Sequence, residues 1–439
     1  MNGTTSFQWR HYQLLFVMPL LYVVVLDLNT SGLMHCALFR ILLNGVDWVC
    51  QSAVMDEIYG NATITLAAAA GSTVWDGILT KTTELALGLC NIPFKIKARK
   101  LAEAPATSLY DRKSDVIAVS DSTATIRFYP YDIDATQALS SRAWAFQESA
   151  MSRRILSYQK EQIVWQCKTK KQYKNGPLNV QPLQAQKPWV DCVVQYTKCE
   201  LTFQDDRLMA ISAYAKSKHK EYQAQGSENK YLAGLWQSGL VDHLLWISKV
   251  KPPPPRPTNY RAPTWSWASI NGPVEFVPAE RKGTRHCAIE LLSASMATNP
   301  LNPFGTLEKM PLSYLHLRGF LKAVPGMEIP SRSAPLPLHK EFRRTVAWSW
   351  WIEFDTIDVA QRVDQALAEA SGEDVAFLEL CKLPMYCLRM TEFTALILIP
   401  TSKVNGVVAF ERVGIVRHWH REDWKWFDDE RERTELYLL

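Results

Sequence analysis

The chain has 439 residues, 47% hydrophobic and 21% charged, which excludes a disordered polymer and leaves room for two or three domains with their own cores. A net charge of +5 is small for that length, and with no dense Lys/Arg run it gives no support for nucleic-acid binding. Nine cysteines, an odd number, are scattered without a C-x-x-C or a Cys/His cluster of zinc spacing, so reduced thiols in the cytosol and no metal centre are expected. His418 and His420 alternate as on one strand face but lack a third ligand.

Leu14 to Leu26 is an uncharged run of 13 residues broken only by Pro19. It is short for a membrane span and has no clear cleavage site after it, so a buried element of a cytosolic domain is expected. A membrane anchor or a secretion signal through residues 14–26 is the alternative. The chain becomes readable from Asp47-Trp48. Val54, Met55, Ile58 and Tyr59 have helical spacing, and Gly60-Asn61 is a plausible stop. Ile64 to Ala70, apolar without alternation, predicts a strand buried on both faces. Residues 71–140 form a variable insert, with a loop over Gly71 to Gly77, a basic cluster at Lys95 to Lys100 and a short strand at Ile126 to Tyr129.

The most informative stretch runs from Ser141 to Cys167. Ser141 is placed to cap a helix, and Arg142 to Met151 has no Gly or Pro. Trp144, Glu148 and Met151 share one face, with Ala143, Phe146 and Ala150 beside it. After Ser152-Arg153-Arg154, two apolar runs flank Gln159 to Gln162, the length of a hairpin loop.

Lys171 to Lys187 is polar and reads as a linker, and Trp189 to Tyr196 opens a helix. Asp205 to Ala213 has helical periodicity and an acidic start. Tyr231 to Trp236 and Leu244 to Trp246 follow, then the stiff Pro252 to Pro255 and Tyr260 to Ser269. Alternation puts Trp265 and Trp267 on one face of a strand, packed in a core. Beyond Pro311 the strand candidates are Tyr314 to Leu321, Thr345 to Phe354, Ala376 to Leu383, Thr394 to Ile399 and Val407 to Val416. Asn405-Gly406 closes a hairpin, Asp358 to Glu369 is a short helix, and Arg421 to Glu435 is a solvated charged tail.

These motifs carry a resemblance. Arg142, Ala143, Trp144, Gln147 and Glu148, then Ser152 and Arg154, then Trp165 and Cys167, make an R-A-W-x-x-Q-E, S-x-R-x-L and W-x-C series. That series resembles the central block of the fungal heterokaryon-incompatibility (HET) domain. Tyr59 and Asn61 in an I-Y-x-N-A helix end, followed by an alanine-rich strand, resemble the preceding block. D-R-L-x-A-I-S, Y-x-A-G-L-W and Y-R-A-P-T-W-S-W-A-S, with Arg261, Trp265 and Trp267, resemble the region after that domain. The likeness covers roughly 47–275. The family's L-S-Y-x-W-G and Y-L-W-I-D-x-L-C-I strands have no counterpart in the first 45 residues, so the resemblance is to a domain lacking its amino-terminal part.

The resemblance implies an α/β, TIR-like (Toll/interleukin-receptor) fold, then a helical segment and a β-rich carboxy-terminal part. The expected divisions are a divergent hydrophobic segment over 1–45, a partial HET domain over 46–170, a Trp-rich helical region over 171–275 and a β-rich region over 276–439. It implies fungal non-self recognition leading to programmed cell death, through protein partners or self-association in the cytoplasm, with no cofactor, nucleic acid or membrane. Two alternatives stand beside it. A TIR-like NAD hydrolase would take NAD as substrate and use Glu148, the one carboxylate singled out for chemistry. A non-functional truncated relative is the other. The structural counter-reading pairs Glu148 with Arg142 or Arg154 and makes Trp144 and Trp165 core, with Cys167 a buried small hydrophobe.

Overall fold

The computed structural model describes residues 23–26, 52–71, 91–96, 122–127, 137–159, 162–173, 178–180, 188–277, 289–310, 312–323, 342–343, 349–361, 385–391, 393–418 and 433–439. Helices and sheets mix throughout, an α/β composition in the broad sense.

A six-stranded sheet forms the amino-terminal unit. Strand β1 (Val23–Leu26) runs antiparallel to β2 (Ile64–Ala67), which follows helix α1 (Met55–Asn61). The pair β3 (Asn91–Ile96) and β4 (Ser122–Arg127) stands apart as a two-stranded ribbon. Helix α2 (Ala143–Met151) then leads into β5 (Arg154–Tyr158), β6 (Ile163–Cys167), β7 (Lys171–Tyr173) and β8 (Leu178–Val180). The order is β1-β2-β5-β6-β7-β8, and only β2 and β5 are parallel. A parallel pair needs a crossover, and α2 lies within it.

The helix and hairpin of the central stretch form as the sequence predicts, with Tyr158 opposite Ile163 and Gln159 N donating to Gln162 O across the loop. Ser141 does not cap the helix. It closes a 3-10 turn (Ala138–Ser141) with its hydroxyl on Ala138 O, and Arg142 takes the cap position. Strand β2 is buried on one face and half-buried on the other, not on both, because its second face has only partial cover. Lys171 to Lys187 is not simply a linker. Backbone pairing of Lys171–Tyr173 to β6 and of Leu178–Val180 to β7 extends the sheet past residue 170.

Helix α3 (Trp189–Tyr196) forms where expected. The helix expected over 205–213 is replaced by two 3-10 turns, Gln204–Asp206 and Met209–Ile211, and α4 (Ser212–Ala224) begins after them. Residues 206–215 are all buried, so they hold no one-sided stripe, and short turns let the chain thread the core. Strands β9 (Tyr231–Leu232) and β10 (Leu235–Trp236) make a tight pair. Their turn residue Gly234 has φ +97°, and a Cβ there would meet the Trp267 indole at 2.7 Å. Its carbonyl accepts from the indole nitrogens of both Trp189 and Trp267 at 2.8 Å. Helix α5 (Leu240–His243), β11 (Trp246–Ser248) and β12 (Val274–Phe276) follow.

Trp265 and Trp267 are fully buried, but not on a strand. Ser266 N donates to Pro263 O and its hydroxyl accepts from Ala268 N, which winds Trp267–Ser269 into a 3-10 turn. Arg261 closes this turn from inside, donating to the carbonyls of Ala268, Ile270 and Gln204.

The carboxy-terminal part is β-rich, as predicted. A nine-stranded sheet takes β13 (Ile289–Ser295) and, beyond the separate pair β14 (Thr298–Asn299) and β15 (Asn302–Leu307), β16 (Tyr314–Gly319) and β17 (Leu321–Ala323). Strands β18 (Phe342–Arg343), β19 (Ser349–Phe354), β20 (Tyr386–Arg389), β21 (Thr394–Val404), β22 (Val407–His418) and β23 (Thr434–Leu438) complete it. Asn405-Gly406 turns the β21–β22 hairpin with φ of 50° and 81°. Of the predicted charged tail only Arg433 to Glu435 are described, and all three are exposed, while Leu436, Tyr437 and Leu438 just after them are buried in β23. The predicted strand at Ala376 to Leu383 lies outside the described residues, as do residues 362–369 of the predicted helix and the Lys97 to Lys100 part of the basic cluster.

One guanidinium joins this sheet to the Trp-rich region. Arg412, fully buried, donates to Leu244 O at 2.6 Å and Trp246 O at 2.5 Å, stacks 3.6 Å from the Trp246 ring and pairs with Asp355 at 3.0 Å. Burial disfavours charge on both partners, and their mutual attraction offsets it. Arg412→Ala strands Asp355 and two carbonyls and is expected to cost about 3–5 kcal/mol in urea unfolding. A loss below about 1 kcal/mol would show that the pair holds nothing together.

Candidate functional site

The Ser141 to Cys167 stretch meets the Tyr59 block over one face of the six-stranded sheet. Tyr59 and Met55, one turn apart, face inward from α1, and the Tyr59 hydroxyl donates to the Glu148 carboxylate. Ser152 Oγ bonds Thr65 Oγ1 at 2.8 Å and Glu148 O at 2.8 Å, tying the end of α2 to β2. Gln147, wholly buried, accepts from Ala213 N at 2.8 Å through Oε1. It satisfies one of the orphan amides at the start of α4. Asp56 anchors the outside of the same corner through Lys216 at 2.8 Å and Lys220 at 2.9 Å.

Beneath α2 the sheet is lined by small and polar side chains, and a cavity of about 570 Å³ opens there. Alternate residues of each strand make its floor: Thr65 and Ala67 from β2, Ile155 and Ser157 from β5, Val164 and Gln166 from β6, and Lys171 from β7. Phe146 and Glu148 of α2 form the roof, and Gln195, Lys198 and Cys199 at the end of α3 form a wall. Ala143 N donates to Glu200 O and Glu200 N to Ser141 O, which fixes that wall to the start of α2.

Glu148 is 7% exposed, and burial pushes its carboxyl up to about 7 against the opposing pull of the Arg142 guanidinium and the Tyr59 hydrogen bond. Among the described residues Glu148 has no ion pair. Arg142 acts from beyond contact, half-buried and itself lowered by burial, while Arg154 is exposed and donates to Thr63 O at 3.3 Å. The expected Glu148 clamp to Arg142 or Arg154 is therefore replaced by a tyrosine hydrogen bond. A carboxyl that shares its time between acid and base near neutrality, lining a cavity, is equipped for proton transfer or for gripping hydroxyls.

The other residues singled out from sequence divide clearly. Ala143 is core, and Trp144 packs half-buried against it. Trp165 and Cys167 are half-buried on the sheet face away from the cavity, so neither is the core residue expected. Hydrogen bonding to Thr169 lowers the Cys167 thiol. Asn61 is exposed at the helix end. Arg261, Trp265 and Trp267 hold the later turn and take no part in the cavity. Sequence reasoning missed Lys171, Thr65, Ser157 and Gln166. For Thr65, Ser157 and Gln166 the signal was a polar residue set among apolar neighbours of a strand, whereas the three-residue strand of Lys171 offered none.

No group of side chains that could hold a metal occurs among the described residues, and none of their helices is long and apolar enough to cross a membrane. No family model, curated protein or solved structure matches the chain.

The raised Glu148 makes folding depend on pH. A carboxyl that binds its proton more tightly folded than unfolded stabilises the fold fully below its unfolded value, and that contribution fades as pH rises toward about 7. The melting temperature is expected to fall between about pH 4.5 and 7, and Glu148→Gln to flatten that part of the profile. An unchanged slope in the variant would place the titration elsewhere.

Proposed function

We propose that this chain is a HET-type signalling protein, acting in the cytosol of a fungus in non-self recognition that ends in cell death. It works through protein contacts or self-association of the α/β unit. What supports this reading is that the blocks carrying the family likeness converge: Tyr59 on Glu148, Thr65 on Ser152 and Gln147 on Ala213. Motif residues that are scattered in sequence yet meet in space make sense if that corner is the working unit. The downstream Y-x-A-G-L-W and W-S-W-A-S elements share the Gly234 carbonyl and support it from below.

A second reading has its own observation. The cavity beside Glu148 favours an enzyme, a TIR-like hydrolase cleaving the nicotinamide–ribose bond of NAD. Glu148 would hold the ribose hydroxyls or take a proton as water attacks. The TIR comparison enters only through the HET resemblance and is used as analogy.

Controlled expression in a fungal host separates the two. Signalling of either kind requires that the wild-type chain arrests growth and that Tyr59→Phe with Glu148→Gln abolishes it. Purified protein releasing nicotinamide from NAD, with at least about a hundredfold loss in Glu148→Gln, establishes the enzyme. Growth arrest without nicotinamide release leaves the contact-driven reading. Absence of arrest at matched expression contradicts the signalling proposal itself.

A further inference from the structure

The two faces of the six-stranded sheet differ. The cavity takes one alternate set of side chains, Thr65 and Ala67, Ile155 and Ser157, Val164 and Gln166, so the set between them points the other way. Registers put Leu66 beside Leu156 and Leu156 beside Trp165, one row across three strands. Tyr158 beside Ile163 makes the next row toward the hairpin loop, and Arg154 beside Cys167 the row on the other side. The apolar side chains of these rows are half-buried, and none belongs to, or packs against, the hydrophobic cluster that runs through the rest of the chain. The Trp165 indole makes no hydrogen bond or ring contact with a described residue.

One end of this face is basic. Arg154 stands in the face itself with Arg153 before it, and Cys167 N donates to Lys170 O to close the turn that carries Lys168 and Lys170. Arg153, Arg154 and Lys168 are exposed and Lys170 is half-buried, and the four make no ion pair among the described residues. The three rows contain no Asp or Glu.

We propose that this face docks a short acidic segment of a partner protein, its apolar side chains over Leu66, Leu156 and Trp165 and its carboxylates on Arg154 and the cations beside it. This deepens the contact-driven reading by giving it a surface, and it rests on that reading for the consequence of docking. The face measures about 10 Å across the strands and about 13 Å along them, the length of about four extended residues. That is far below the roughly 800 Å² a side that a stable globular interface needs, so a peptide-like segment fits it. A tryptophan at the centre with an unused N–H is the residue type on which such contacts turn. A second copy of the same face would bring no carboxylate to these cations, and no large apolar side chain here stands fully exposed to enter a lipid surface.

A short fluorescein-labelled peptide that alternates Glu or Asp with Leu or Phe tests this by anisotropy on the full chain, beside the same peptide with Lys for every acid. The acidic peptide is expected to bind at least about tenfold tighter than the basic one, with the difference shrinking as salt rises. Trp165→Gln should weaken its binding about tenfold or more. Lys168→Glu with Lys170→Glu should invert the preference and leave the melting curve unchanged. No binding of the acidic peptide, equal affinity for the two, or an unaltered preference in the charge-reversed variant overturns the proposal. So does binding to phosphatidylserine vesicles that the peptide does not displace, which would make the face a lipid contact. Dimerisation in sedimentation that Trp165→Gln abolishes would assign the face to a second copy and overturn it too. Peptide binding seen only after Asp428→Asn, Asp429→Asn and Glu430→Gln would overturn a foreign partner in favour of this chain's own acidic stretch. A failed peptide preference beside intact growth arrest sinks this surface alone, and the expected preference in a chain that arrests nothing sinks the signalling reading alone.

Discussion

A carboxyl group buried on the inner side of its own helix imposes itself on everything around it. Glu148 cannot remain charged cheaply in that position, so the fold supplies a tyrosine hydrogen bond and the distant field of Arg142 in place of a contacting cation. The result is a group balanced between two protonation states. That balance depends on Tyr59 arriving from α1 and on the Ser152–Thr65 contact that seats α2 over β2 and β5. The cavity exists because the floor beneath is built from Ala67, Ser157 and Thr65, too small to fill the space under Phe146.

The remaining architecture keeps that corner rigid. Gln147 links α2 to α4, Gly234 gathers two indoles, and Arg412 fastens the nine-stranded sheet to β11. Buried residues from α1 through β23 form one continuous hydrophobic cluster. That cluster takes residues from the 46–170, 171–275 and 276–439 stretches alike.

Much of the local structure was legible in the sequence because periodicity and turn chemistry were unambiguous. The α2 to β5–β6 unit, α3 and the Asn405-Gly406 hairpin follow directly from spacing. The misreadings share a cause: tertiary burial overrode local signal. Residues 206–215 look helical yet thread the core as short turns, and Trp265 and Trp267 alternate like a strand yet sit on a turn tied by Ser266. Lys171 looked like linker because a three-residue strand carries too little pattern to recognise. Glu148 was visible as a candidate from its helix face, but its donor was not, since Tyr59 lies 89 positions away and only the fold joins them.

The claim that most of this rests on is that Glu148 is a buried carboxyl poised near neutrality. Difference infrared spectroscopy of the wild type against Glu148→Gln reads it directly through the protonated C=O stretch. A band present at acid pH, absent in the variant and titrating away with a midpoint of about 7 is the predicted result. Loss of that band at the ordinary carboxylate range of about 4.3, or no band assignable to Glu148, would contradict it.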